Sequence, residues 1–101
     1  MRLTEQQRAV IRTTVAKIFG PNAKVWLFGS RVDDRQRGGD IDLFIKTDLT
    51  DVEAITRAEI ALLTQLYRQL GEQKIDVLLD YPSQKIKPPI FAIAEQQGIP
   101  L

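Results

Sequence analysis

Residues 28–45 read FGSRVDDRQRGGDIDLFI, and this stretch decides the fold. A short segment rich in strand-forming residues, Lys24–Phe28, ends at its first glycine, and a second apolar segment follows a polar, glycine-ended connection. Within Asp40–Lys46 the side chains alternate, with three aliphatic residues on one face and Asp40, Asp42 and a phenylalanine on the other. Carboxylates beside such apolar sequence are costly unless a partner or a metal ion offsets their charge. The stretch therefore predicts two strands with a cation site where they meet.

The rest of the chain predicts helices and one more strand around these two. Apolar residues at helical spacing, capping residues and Gly or Pro stops define each helix. The predicted elements are a helix from the Thr4–Gln7 capping box to Gly20-Pro21, a helix from Thr50 or Asp51 to Gly71, a strand over Lys74–Asp80, and a helix from Pro88-Pro89 through Gln97 to Gly98.

The connections between the predicted strands indicate a small mixed sheet. A whole helix separates the second strand from the third, which favours a parallel pair, whereas the short first connection, with its helical turn, favours an antiparallel pair. We expect one α+β domain over residues 1–101, with a three-stranded sheet flanked by helices in the order helix, strand, helical turn, strand, helix, strand, helix. The aliphatic faces of the strands should pack on the helices, and the acidic face should stay open.

Composition restricts the chemistry. The 101 residues include no cysteine and no histidine, so thiolate catalysis is excluded and a metal must be bound through oxygen, which favours Mg²⁺, Mn²⁺ or Ca²⁺. A net charge of +1 argues against a broad nucleic-acid surface. The sequence has neither an apolar run long enough to span a membrane nor a signal-peptide pattern, and a cytoplasmic location is the simplest expectation.

The candidate site residues lie at the predicted strand ends. Asp40 and Asp42 project the same way, about 7 Å apart along a strand that rises about 3.3 Å per residue. Asp76, on the third strand, supplies another carboxylate if the register brings it alongside. Gly29-Ser30 lets a phosphate approach the backbone. Each aspartate alone is more simply an exposed strand residue, and the metal site rests on their combination.

Several neighbouring residues have an ordinary interpretation beside a functional one. The three arginines of the connection are as readily solvated loop charges as phosphate contacts. The aromatic residues of the two strands are expected in the core. One of them, Phe44, shares the face of the aspartates and offers a surface on which a base could stack. These residues are Arg31, Arg35 and Arg37, and Trp26, Phe28 and Phe44.

The combination of motifs resembles a known superfamily. Gly29-Ser30, a nine-residue gap and Asp40-Ile41-Asp42-Leu43 look like the signature of the DNA polymerase β-like nucleotidyltransferases, and the chain is most similar to their minimal members, the MNT proteins. Asp76 in KIDVLL fits the third acidic position of that superfamily, and the closing IAEQQGIPL resembles its usual end. The fold of the superfamily, a small mixed sheet flanked by helices, agrees with the predicted element order.

The resemblance implies a mechanism. Asp40 and Asp42 would hold two Mg²⁺ ions, with Asp76 joining at the ion that activates the attacking group, and these three would be the catalytic residues. Gly29-Ser30 would hold the triphosphate of a nucleotide such as ATP, with Arg31 matching one family variant. An acceptor hydroxyl would attack the α-phosphorus and pyrophosphate would leave, which requires no histidine.

The resemblance also implies a biological role. Minimal nucleotidyltransferases are typically encoded beside a helical HEPN-family protein, often as antitoxin and toxin, and some transfer AMP to a tyrosine of the partner. Two other functions stay open: a non-catalytic antitoxin that masks its partner, and a regulatory domain that binds nucleotide without turnover. The first of these is favoured by Asp33-Asp34, acidic residues where family members often have arginine and glycine. The sequence also departs from the family pattern at Gly39, which replaces the serine common before the first aspartate.

Overall fold

The computed structural model describes residues 3–29, 40–71 and 73–101. Over these residues the elements are α1 (Glu5–Phe19), β1 (Lys24–Phe28), β2 (Ile41–Lys46), α2 (Val52–Leu70), β3 (Ile75–Asp80), α3 (Pro89–Gln97) and β4 (Ile99–Pro100). The predicted helical turn in the connection before β2 lies outside the described residues. No helix in the described part of the chain is long and apolar enough to cross a membrane.

The helix ends follow the signals in the sequence. At the start of α1, the Thr4 hydroxyl accepts a hydrogen bond from the backbone N–H of Gln7, and the Gln7 side chain accepts one from the backbone N–H of Thr4, so the predicted capping box is confirmed. Asp51 caps α2 by accepting from the N–H of Ala54, and Gly71 ends that helix at a φ of +84°. Strands β2 and β3 each begin one residue later than predicted.

The sheet confirms both predicted pairings but contains one strand more. Its order is β3-β2-β1-β4, with β2 parallel to β3 and antiparallel to β1. The expectation of three strands was wrong, because Ile99–Pro100 adds to the outer edge of β1, with Ile99 opposite Leu27. A two-residue strand that contains proline shows no alternating pattern, and only a free neighbouring edge makes it a strand.

The main hydrophobic core lies between one face of the sheet and the helices α1 and α2. Ile41, Leu43 and Ile45 point into it and are fully buried, as their alternation in the sequence predicts. The helices contribute fully or almost fully buried aliphatic and aromatic side chains from their inner faces. These are Ile11, Val15 and Phe19 from α1 and Ile55, Leu62 and Leu66 from α2.

The opposite face carries a smaller aromatic cluster beneath α3. Phe44 is fully buried there, with its ring centroid 5.3 Å from that of Trp26 and 5.2 Å from that of Phe91. The expectation that this face stays open was therefore wrong over its middle, because α3 covers Phe44 and gives it a packing role. At one end of this face Asp42 is half-buried and Asp76 is exposed, and this end positions the candidate site.

Candidate active site

The end of β1 and the beginnings of β2 and β3 meet at one end of the sheet. The antiparallel register pairs Phe28 with Asp42, and the parallel register pairs Asp42 with Asp76. Paired residues direct their side chains to the same face, so the two carboxyl groups lie side by side on neighbouring strands. The register thus brings Asp76 alongside Asp42, the condition that the sequence left open.

Gly29 turns the chain directly beside Asp42. Its φ of +78° lies in the left-handed region, which favours glycine, and a Cβ built at this position would be 3.1 Å from the Asp42 Cγ and closer still to the Oδ2 atom. A residue with a side chain would therefore be strained and would also displace the carboxyl group. The residue that follows β1 therefore lies directly against the Asp42 carboxyl group.

The electrostatics of this corner centre on Asp42. Partial burial raises the pKa of the Asp42 carboxyl group above its usual value, and the charges of Asp76 and Asp40 and a side-chain hydrogen bond with Asp76 raise it further, while Lys74 opposes the shift. Among the described residues, the charges around Asp42 are thus more negative than positive. A ligand with positive charge is the simplest way to stabilise ionised Asp42.

Asp40 is partly engaged elsewhere. Its Oδ2 atom lies 3.7 Å from the Lys74 Nζ, in an ion pair whose side chains are largely exposed. In residues 3–29, 40–71 and 73–101, no group of three or more acidic side chains is gathered closely enough to hold a metal ion. Asp42 and Asp76 therefore form a pair, and the assignment of Asp40, Asp42 and Asp76 as metal ligands stays a prediction.

The donor atoms at this corner suit a hard divalent cation. Mg²⁺ is usually held by one or two protein carboxylates, with water and phosphate oxygens completing its shell, and Mn²⁺ accepts the same ligands. Asp42 and Asp76 offer that number of carboxylates from two rigid strands. Partial burial and the neighbouring carboxylates raise the pKa of Asp42, and a bound divalent cation would offset this unfavourable charge.

Two other predicted site residues, Ser30 and Arg31, lie outside the described residues, as do Arg35 and Arg37. Sequence reasoning missed Lys74, which pairs with Asp40 and also lowers the pKa of Asp42. A signal was present, because Lys74 precedes Asp76 by two residues, and such residues share a face of an extended chain.

Comparison with known proteins bears on this geometry. The sequence model of the nucleotidyltransferase domain family matches residues 9–99, which include β1, β2, β3, Gly29 and all three aspartates. The chain belongs to this family. No curated protein matches it. The superfamily predicted from the motifs is thus confirmed and nucleotidyl transfer is the general activity of the domain, while membership of the minimal subfamily stays a prediction.

Proposed function

We propose that the protein is a Mg²⁺-dependent transferase that moves AMP from ATP to an acceptor hydroxyl group. The observation that carries the proposal is the placement of Asp42 and Asp76 side by side, with the unsubstituted backbone of Gly29 against Asp42. This arrangement supports a site where a phosphate chain and a divalent ion are held together. Family membership supports the class of reaction.

Each residue has a defined task in this proposal. Gly29 leaves the space beside Asp42 free of a side chain, so that the triphosphate can approach the backbone. Asp42 and Asp76 hold Mg²⁺, or Mn²⁺ in its place, and Asp40 supports them from its ion pair with Lys74. When bound, the metal supplies charge stabilisation for the phosphates during the displacement.

The bond changes are those of an in-line displacement. The acceptor oxygen bonds to the α-phosphorus, the bond between the α-phosphorus and its bridging oxygen breaks, and pyrophosphate leaves with that electron pair. The acceptor hydroxyl loses its proton to the surrounding water. The chain contains no histidine, so positioning and charge stabilisation would account for the rate.

The acceptor we propose is a tyrosine hydroxyl on a helical HEPN-type partner, with this protein acting as the antitoxin. The support is the similarity of Gly29-Ser30, Asp40-Ile41-Asp42 and Asp76 to the pattern of minimal nucleotidyltransferases. A partner whose modified hydroxyl lies in its toxic centre would be inactivated by AMP transfer.

The label position in ATP tests the reaction class. The protein is incubated with Mg²⁺, a HEPN-type partner and ATP labelled at either the α- or the γ-phosphate, and label should enter the partner only from the α-position. Asp42→Asn should lower the rate about 1,000-fold, because several kcal/mol of charge stabilisation is lost. The control is Asp48→Asn, an exposed aspartate outside the site, which should transfer at the wild-type rate.

Each other outcome points to a specific alternative. Transfer of the γ-label would show a kinase-type reaction and overturn the proposal. Inhibition of an unlabelled partner that survives Asp42→Asn would favour the non-catalytic antitoxin. ATP binding without pyrophosphate release, whichever acceptor is offered, would favour a regulatory nucleotide-binding domain.

A further inference from the structure

A cavity of about 360 Å³ opens beside Gly29, on the sheet face that carries the acidic pair. Its walls come from the end of β1 and from one side of α3. Among the described residues they are Phe28, Gly29, Ile90, Ile93, Ala94 and Gln97. The cavity belongs to neither the main core nor the carboxylate pair.

The cavity and the carboxylates share a wall. Phe28 is the cross-strand partner of Asp42, so the two side chains stand next to each other on one face. Gly29 lines the cavity, and a Cβ at this position would meet the Asp42 carboxyl group. A ligand whose phosphates lie at Asp42 would therefore have its next group at the mouth of the cavity.

The lining chemistry suits a flat, mostly apolar ring with a polar edge. Ile90 and Ile93 are 39% and 46% exposed, a large apolar area for a helix whose other side is already packed in the aromatic cluster. Gln97, at the last turn of α3, is exposed and adds an amide that both donates and accepts hydrogen bonds. Glutamine pairs well with the adenine edge, which carries a donor and an acceptor side by side.

The cavity walls are held in fixed positions relative to β1. Phe91 packs on Phe44, while Glu95 of α3 lies 3.4 Å from the Lys46 Nζ of β2. At the end of α3, a Cβ on Gly98 would be 2.9 Å from the Leu27 carbonyl oxygen, so only glycine allows this close approach of helix end and strand. A binding cavity with walls fixed in this way loses little freedom when a ligand enters.

We propose that this cavity binds the nucleobase of the nucleotide, with a purine lying between Phe28 and the isoleucines of α3 and with its edge on the Gln97 amide. The proposal rests on the proposed function, because the phosphates place the base only if they lie at Asp42. It assigns a base-recognition role to α3, for which neither the motifs nor the family match supplies residues.

Calorimetric titration distinguishes the contribution of the base to binding from that of the phosphates. Tripolyphosphate and ATP, each with excess Mg²⁺, are titrated into the wild-type protein, and ATP should bind about tenfold more tightly, the gain expected from stacking one base. Ile93→Trp should fill the cavity and reduce ATP affinity to that of tripolyphosphate, which itself should not change. The matched control is Ile60→Trp, a substitution at a 62% exposed isoleucine of α2, and it should leave both affinities at the wild-type values.

A second variant tests the polar edge without changing the packing. Wild-type protein should bind ATP about tenfold more tightly than ITP, which lacks the amino group of adenine, and Gln97→Leu should remove that preference while both nucleotides still bind. Gln97 is exposed, so the variant should melt at the wild-type temperature.

The possible failures are distinguishable. Equal affinity of the wild type for ATP and tripolyphosphate, with binding lost in Asp42→Asn, would overturn the base site and leave the proposed function standing. Absence of binding by either compound would overturn both proposals. If Ile93→Trp blocked transfer to a protein acceptor while ATP affinity stayed unchanged, the cavity would be an acceptor site and the nucleobase assignment would be wrong.

Discussion

The two faces of the sheet differ in what they bury. Toward α1 and α2, β2 presents only aliphatic side chains, all of them fully buried. Toward α3, the same strand presents Phe44, buried in a small aromatic cluster, and Asp42, whose pKa is raised by burial and by neighbouring carboxylates. One face therefore serves stability alone, while the other combines a stabilising aromatic cluster with a half-buried carboxylate.

The difference shows that a single alternating strand can supply both a stable core on one face and a charged candidate site on the other. Because successive residues point to opposite faces, the acidic corner, formed by Asp42 and Asp76, can vary in charge without any change in the main core. The aromatic cluster occupies the middle of the functional face and anchors α3, while Asp42 and Asp76 lie at one end of that face. Substitutions on the two faces should accordingly have separable effects.

The largest effect on stability is expected from Leu62→Ala on the core face. Leu62 is fully buried against the sheet, and its truncation should lower the free energy of unfolding by about 3 kcal/mol through lost burial and a residual cavity. Urea denaturation measures this loss, and Ile60→Ala, at an exposed position two residues earlier, should change it by less than about 0.5 kcal/mol. The fraction of Leu62→Ala that remains folded should bind MgATP as the wild type does. Weakened binding by that fraction would show that the faces are coupled.

A smaller loss of stability and a large loss of activity are expected from Gly29→Ala. A left-handed backbone costs a residue with a Cβ about 1–2 kcal/mol, and Gly20→Ala should incur a comparable cost, because Gly20 also has a positive φ. Only at Gly29 does the new Cβ meet Asp42, whereas nothing lies within 4 Å of a Cβ at Gly20. Gly29→Ala should therefore lose about 100-fold in nucleotidyl transfer. Equal rates in the two variants would show that the turn does not position the carboxyl group.

Local signals made most of the fold predictable. The capping box at Thr4, the aspartate at the start of α2 and the glycines that end α1 and α2 each act through neighbouring residues in sequence, and each was confirmed. The alternation in β2 specified which side chains enter the core, because the other face cannot accept them. The parallel pairing followed from the length of the connection through α2.

The features that were missed depend on contacts distant in sequence. β4 exists because β1 has a free edge, and Ile99–Pro100 carries no strand pattern of its own. The cover over Phe44 depends on where α3 returns to the sheet, which its short apolar sequence does not specify. The shared face of Lys74 and Asp76 was readable from their spacing, but the pairing of Lys74 with Asp40 also requires β3 to lie beside β2, which is a contact distant in sequence.

A third prediction concerns charge at the acidic corner, where removing a carboxylate should raise stability rather than lower it, and by a smaller amount. The pKa of Asp42 is raised in the folded protein, so its contribution to stability is fully present below the usual aspartate pKa and is lost as pH rises through the raised value. At neutral pH, with divalent ions chelated, Asp42→Asn should therefore raise Tm by a few degrees. Scanning calorimetry should show the Tm difference from wild type growing from acidic to neutral pH.

Added Mg²⁺ sharpens this comparison. It should raise the Tm of the wild type at neutral pH, because a ligand that binds only the folded state stabilises it, and it should have less effect on Asp42→Asn. Asp48→Asn is the matched control and should follow the wild type in both experiments, since Asp48 lies outside the acidic corner. A lower Tm for Asp42→Asn than for wild type in chelator would contradict the view that this carboxylate destabilises the metal-free fold.

The smallest effect on stability is expected from removing the ion pair that joins α3 to β2. Lys46 and Glu95 form an ion pair at 3.4 Å, but their side chains are 41% and 45% exposed, so Glu95→Gln should cost about 0.5 kcal/mol or less. Phe91→Ala, which removes a buried ring from contact with Phe44, should cost several times more and should weaken ATP binding, because α3 loses its anchor. Urea denaturation and calorimetry of the two variants compare the contributions. If Glu95→Gln proved as costly as Phe91→Ala, charge rather than aromatic packing would hold α3 on the functional face. Raising the salt concentration alone should then weaken nucleotide binding as strongly as the loss of the ring does.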